Sequence, residues 1–156
     1  MSVKFIPDGY HSVTPYLTVH DGNAAIDYYK KAFGAIEVLR LPAGDKIAHA
    51  EVKIGNSHVM LSDEMPGMGI LGPKSRGGST AGMMIYVEDV DTAFPLAIAA
   101  GGTAERAVQD QFYGDRSGTL IDPFGHRWTL STHVEDVSDE EMRHRMASHA
   151  GETAGA

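Results

Sequence analysis

An internal repeat constrains this chain more than any single motif does. The run from Val13 to Asp21 (VTPYLTVHD) and the run from Ala81 to Asp89 (AGMMIYVED) are both extended, β-prone and closed by an aspartate, 68 positions apart (21 to 89). Each is followed by a helical pattern. In the first, Ala25, Ile26, Tyr29, Ala32 and Phe33 line one helix face and Gly34 stops it. In the second, Phe94, Ala97, Ile98 and Ala100 do the same before Gly101 and Gly102, although Pro95 removes an internal hydrogen bond and is expected to kink that helix. Three strand candidates follow each helix: 36–41, 47–54 and 58–62, then 104–108, 118–121 and 127–133. The unit is therefore β-α-β-β-β, used twice.

The repeat divides the chain into a lead at 1–11, one domain at 12–133 and a tail at 134–156. Within the domain, module one covers 12–64 and module two covers 81–133. The connection at 65–80 contains Pro66, Gly67, Gly69, Gly72, Pro73, Gly77 and Gly78, as binding lids often do. The tail holds Glu135, Asp136, Asp139, Glu140, Glu141 and Glu152 against Arg143 and Arg145, half of the chain's net charge of −8. Ser138 followed by three acids predicts a short N-capped, surface-docked helix, and the small-residue tip 151–156 is expected to lack order. A surface of that charge repels phosphate backbones, which excludes nucleic acid as a partner. No signal-peptide core or membrane-length apolar stretch occurs, so the expectation is a cytoplasmic protein without membrane contact. With no cysteine, thiol nucleophiles and cysteine-ligated metals are excluded.

Paired βαβββ units with Asp122-Pro123-Phe124-Gly125-His126-Arg127-Trp128 before the last strand resemble the vicinal oxygen chelate superfamily of glyoxalase I, extradiol dioxygenases, fosfomycin-modifying enzymes and bleomycin-binding proteins. Pro15-Tyr16-Leu17, His49-Ala50 and Ser62-Asp63 are similar to its PhnB-like branch. The resemblance implies an α+β fold in which the two modules form a curved, cup-shaped mixed sheet of eight strands with both helices on its convex face. It also implies a homodimer, since open sheets leave edges that need cover. The family's metal enzymes bind a divalent ion through His and Glu on the first and last strand of each module. Carried onto this chain, those positions are Thr14, Met60, Gly82 and Thr129. None offers an imidazole or carboxylate donor, so no metal is expected there.

Strand alternation places candidate site residues. Pro15, Leu17, Val19, Ile85, Val87, Trp128 and Leu130 form the helix-facing side, with Trp128 in the core. Thr14, Tyr16, Thr18, His58, Met60, Ser62, Met84, Tyr86, Arg127, Thr129, Ser131 and His133 face the cup. Tyr16, Met84 and Tyr86 read as apolar ligand contacts or as ordinary filling. His58, Ser62, Arg127 and Ser131 read as polar orienting groups, with the Arg127 fork favouring a neutral or anionic ligand. His58 is the candidate acid–base residue, against a histidine that merely satisfies a half-buried hydrogen bond. His49 and Glu51 alternate on one strand face and read as ligands, as an acid–base pair, or as an exposed polar face. The stretch 112–116 reads as a turn, and His11, His20, His126, His144 and His149 are expected in solvent.

The pattern Gly67-x-Gly69-x-x-Gly72 opens no helix and is not a dinucleotide fingerprint, and no P-loop or nucleophile elbow is present. The missing donors favour a metal-independent module that binds a small organic molecule. The alternative is a lyase, isomerase or dioxygenase-type enzyme with a noncanonical metal site or a His or Tyr base in the cup.

Overall fold

Asp21 and Asp89, which end the two repeated runs, each cap a helix. The Asp21 carboxylate accepts from the Ala24 amide at 3.0 Å to start α1 (Gly22–Phe33), and Asp89 accepts from the Asp91 amide at 3.0 Å to start α3 (Val90–Ala99). Gly34 ends α1 in the left-handed conformation, φ 64°, that a side chain would strain. The helix α3 runs on through Pro95; the ring forfeits one bond but a helix packed on a sheet is held by its apolar face.

The computed structural model describes residues 3–153. Strands β1 (Tyr16–Val19), β2 (Ile36–Ala43), β3 (Lys46–Ile54) and β4 (Ser57–Asp63) form a mixed sheet in the order β1-β4-β3-β2. Strands β5 (Gly82–Tyr86), β6 (Thr103–Asp110), β7 (Asp115–Ile121) and β8 (Arg127–His133) repeat it as β5-β8-β7-β6. In both, the first strand runs parallel to the last and the other pairs are antiparallel. The two βαβββ modules are thus present, and each ladder stops at its first strand.

The modules meet through their helices. α1 packs against α3, Tyr28 donates to the Ala97 carbonyl at 3.1 Å, and Tyr29 donates to Asp122 at 2.8 Å. Asp122 also accepts from the Trp128 indole at 2.9 Å, and Phe33 lies 4.8 Å from the Trp128 ring. One core results, with Leu17, Val19, Ile26, Val52, Leu61, Phe94, Leu120, Trp128 and Leu130 all buried, as the alternation requires. His126, expected in solvent, is buried and its Nε2 donates to the Thr18 carbonyl at 2.8 Å, a further link between modules.

The connection between the modules holds a 3-10 turn at Pro66–Met68 and the single helical turn α2 (Pro73–Arg76). The tail helix α4 (Asp139–Thr153) starts where expected, with Ser138 Oγ accepting from the Glu141 amide, but runs for 15 residues. Arg145 docks it through Glu135, at 2.7 Å, and the Phe112 carbonyl, at 3.2 Å. Of the tip expected to lack order, 151–153 continue this helix and 154–156 lie outside the described residues. Among the described residues no helix is long and apolar enough to cross a membrane.

Candidate functional site

Strand β5 pairs with nothing on its outer edge, and a gap opens between it and the wall made by residues 11–15 and the β3–β4 turn of module one. It forms a cleft of about 630 Å³ lined by Thr14, His58, Met83, Met84, Tyr86 and Trp128 among others. The mixture of thioether, aromatic and hydroxyl groups suits a small organic molecule. Three of the sequence-predicted residues, His58, Met84 and Tyr86, share this cleft. Tyr86 is 63% exposed and Met84 48%, so the cleft presents apolar surface to solvent.

His58 is held from above by the N-terminal lead. Its Nδ1 lies 2.9 Å from the Gly9 carbonyl, which only accepts, so Nδ1 carries the proton and Nε2 is the acceptor in the neutral ring. The Tyr10 ring stacks on it, centroids 4.0 Å apart and planes 18° from parallel.

Beside it, Tyr16, His49 and Glu51 form a hydrogen-bonded chain. His49 Nε2 donates to Glu51 at 3.0 Å, which leaves His49 Nδ1 to accept from the Tyr16 hydroxyl at 2.6 Å. Tyr10 donates to the other Glu51 oxygen. Sheet register explains the reach: Tyr16 pairs with Met60 and Met60 with Glu51, so the Tyr16 ring crosses β4 to meet β3. His49 and Glu51 are half-buried and mutually bonded, not a solvated strand face.

Module two carries a different centre. Buried Asp115 accepts from Tyr86 at 3.0 Å, Ser131 at 3.0 Å and His133 Nδ1 at 2.8 Å, and His133 Nε2 reaches Asp136 at 2.8 Å. Burial pushes the Asp115 carboxyl up, but the bonds from His133, Ser131 and Tyr86 outweigh it and hold the group below the usual range. Asp136, and after it Asp115, raise the His133 imidazole. The bond to Asp115 likewise raises the Tyr86 phenol.

The other predicted residues lie away from the cleft. Ser62 and Ser131 are fully buried and spend their hydroxyls on Asp63 and Asp115. Arg127 faces a shallow depression beside Pro73 and pairs with Glu105 at 2.6 Å. Tyr16, His49 and Glu51 sit on the module-one cup behind Tyr10. Sequence reasoning missed Tyr10 and Asp115. Tyr10 falls in an irregular lead where no period marks a face, and Asp115 was expected in a turn because Gly-Asp is turn chemistry, whereas it opens β7.

The four positions at which metal enzymes of this fold place ligands do not fit a metal here. Met60 lies beside Tyr16 and Thr129 beside Met84, and the Thr129 hydroxyl is taken up by Thr119 at 3.0 Å. Among the described residues no group of three or more His, Asp or Glu side chains is arranged to hold a metal ion.

The sequence pattern of the Glyoxalase/Bleomycin resistance protein/Dioxygenase superfamily matches residues 9–130, and the chain belongs to that superfamily. An uncharacterized protein of Mycobacterium bovis, Mb0911c, is 41% identical over 141 residues, 88% of this chain and 93% of that protein. Among solved structures, TioX from Micromonospora sp. ML1 is similar with a TM-score of 0.61 and 27% identity, over 82% of this chain and 100% of its own. The PhnB protein from Bacillus cereus shares the fold at a TM-score of 0.61 and 17% identity, over 78% of this chain and 99% of its own.

Proposed function

We propose that this protein binds a small, partly aromatic organic molecule without a metal, in the cleft between β5 and residues 11–15 of module one. The observation that carries the reading is the cleft itself: about 630 Å³, open to solvent, walled by Met84, Tyr86 and His58, and without a metal donor at Thr14 or Gly82. Because Arg127 is neutralised by Glu105, the anionic half of the sequence expectation loses its support and a neutral ligand fits better. A thermal-shift screen of neutral, anionic and cationic aromatic molecules tests this, since whatever binds only the native state raises its melting temperature. Neutral aromatics shifting the wild type but not a Met84→Ala, Tyr86→Ala variant is the expected pattern.

One observation favours a second reading. The chain Tyr16 to His49 to Glu51 has the order of an exposed hydroxyl, an imidazole and an orienting carboxylate, which is the arrangement of metal-free acid–base catalysis. Proton exchange at a carbonyl compound's α-carbon that vanishes in Tyr16→Phe would favour this reading.

The working form is a homodimer. Strand β2 is an outer strand whose Ile36, Val38 and Leu41 are all exposed, and a second copy covers such a face more economically than solvent.

A further inference from the structure

The contact between the lead and the cup joins a weakly held segment to a half-buried polar site. Residues 3–12 form neither helix nor strand, Val3 and Phe5 are 96% exposed, and Lys4 pairs with exposed Asp8. Among the described residues, the hydrogen bonds tying this segment to the body come from Gly9 and Tyr10 alone. Gly9 has φ +83°, and a Cβ there would stand 3.2 Å from the His58 ring, so glycine permits the close approach.

Tyr10 is received as a ligand is received. Its face lies on the His58 imidazole, and its hydroxyl donates to Glu51, a carboxylate 13% exposed whose other partner is His49. We infer that Tyr10 holds the place of a phenolic ring: a phenol enters by displacing the lead, stacks on His58 and gives its hydroxyl proton to a hydrogen bond with Glu51. The inference rests on the binding reading above and extends its cleft, through the shared His58, to the module-one cup.

Three features select the class. The imidazole plane asks for a flat ring. The Glu51 carboxylate asks for a neutral donor and repels an anion. A ring without a hydroxyl leaves that half-buried carboxylate one donor short, which is unfavourable. Because His58 also lines the cleft, moving Tyr10 aside joins the cleft to Tyr16 and His49. The tethered Tyr10 competes with any free phenol, so the intact protein binds more weakly than its site allows.

The test uses p-cresol, which is the tyrosine side chain as a free molecule, and toluene, which lacks the hydroxyl. Affinities are measured by NMR titration on the full chain as wild type, Tyr10→Ala and Tyr10→Ala with Glu51→Gln. Tyr10→Ala is expected to bind p-cresol about tenfold tighter than wild type, with Glu51→Gln removing the gain and toluene gaining little. The His58 ring protons report the stacking directly. They should lose their upfield shift in Tyr10→Ala and recover it when p-cresol is added. Tyr10→Phe keeps the packing, guards against a folding defect in the alanine variant, and should bind p-cresol several-fold tighter than wild type. Equal p-cresol affinity in all variants, or no recovery of the His58 shift, overturns the inference. If a screened aromatic meanwhile binds wild type and Tyr10→Ala alike, the cleft reading stands and only the Tyr10 site falls. If nothing in the screen binds either protein, both fall together.

Discussion

His133 stands between two carboxylates, Nδ1 2.8 Å from Asp115 and Nε2 2.8 Å from Asp136. Both ring nitrogens face acceptors, so the doubly protonated imidazolium satisfies the geometry better than either neutral tautomer. Asp115 belongs to the body of module two and Asp136 to the tail, so the imidazolium ties one to the other.

The pH dependence follows with its sign. The folded His133 value lies above the ordinary 6.5, so its contribution is complete below the unfolded value and fades as pH rises through the folded one. Asp115 is held low, so its contribution is present above the unfolded carboxyl value and fades in acid. An NMR titration should find His133 titrating above 6.5, and Asp136→Asn should bring it down. The wild-type melting temperature should fall as pH rises through that folded value, and His133→Gln should abolish that step. A His133 value unmoved by Asp136→Asn would show that Asp136 does not hold the imidazolium.

Asp122 is predicted to be the most sensitive polar residue of the fold. It accepts from the Tyr29 hydroxyl, the Trp128 indole and the amides of Phe124 and His126, four donors gathered on a buried carboxylate. Asp122→Ala should destabilise by about 3–5 kcal/mol in urea unfolding, because it strands buried partners. Tyr29→Phe removes one bond of the set and should lose only about 1–2 kcal/mol. Equal losses would mean that packing, not the carboxylate, joins the modules.

Much of this architecture was legible in the sequence because two periodicities carry it. Period-two alternation put Leu17, Val19, Trp128 and Leu130 on the buried side, and the aspartates that end each repeated run are the helix caps. The joint between modules was not legible, since Tyr29, Asp122 and His126 meet only after both modules have folded. Of the candidate cleft, the strand residues were legible and the rest was not. His58, Met84 and Tyr86 follow from alternation. Tyr10 lies where no period exists, and Asp115 looks like a turn residue until its burial is known. Arg127 reads from its strand as an orienting group, but its partner Glu105 sits on another strand, and cross-strand pairing is not readable from one strand's pattern.

Metal content is the next check. Protein purified without chelator should carry less than stoichiometric zinc, nickel, manganese or iron by elemental analysis, because thioether and hydroxyl groups hold such ions weakly. Thr129→Ala should leave the metal content unchanged. A stoichiometric ion lost in Thr129→Ala would show that the Thr14, Met60, Gly82 and Thr129 positions bind metal after all.

The dimer reading predicts a mass twice that of the 16.7 kDa chain in light scattering at micromolar concentration. Charged residues at Ile36 and Leu41 should shift it to the monomer without unfolding it, since both side chains are exposed in the single chain. A wild-type monomer would leave β2 as a bare edge and remove the reading.

Binding in the cleft separates Tyr86 from Arg127. Tyr86 lines the cleft and its hydroxyl is already committed to Asp115, so it offers a ligand its ring and not its proton. Replacing it with phenylalanine keeps the ring, so affinity for a cleft ligand should change by less than about threefold, within the net value of one hydrogen bond. Replacing it with alanine removes the wall and should weaken binding by about tenfold or more, as loss of an aromatic anchor does. Arg127→Ala should leave affinity unchanged, because its guanidinium faces Glu105 and the depression near Pro73. Calorimetric titration of one screened ligand against the three variants decides the matter. A large loss in Arg127→Ala with none in Tyr86→Ala would move the site from the cleft beside β5 to the floor of module two.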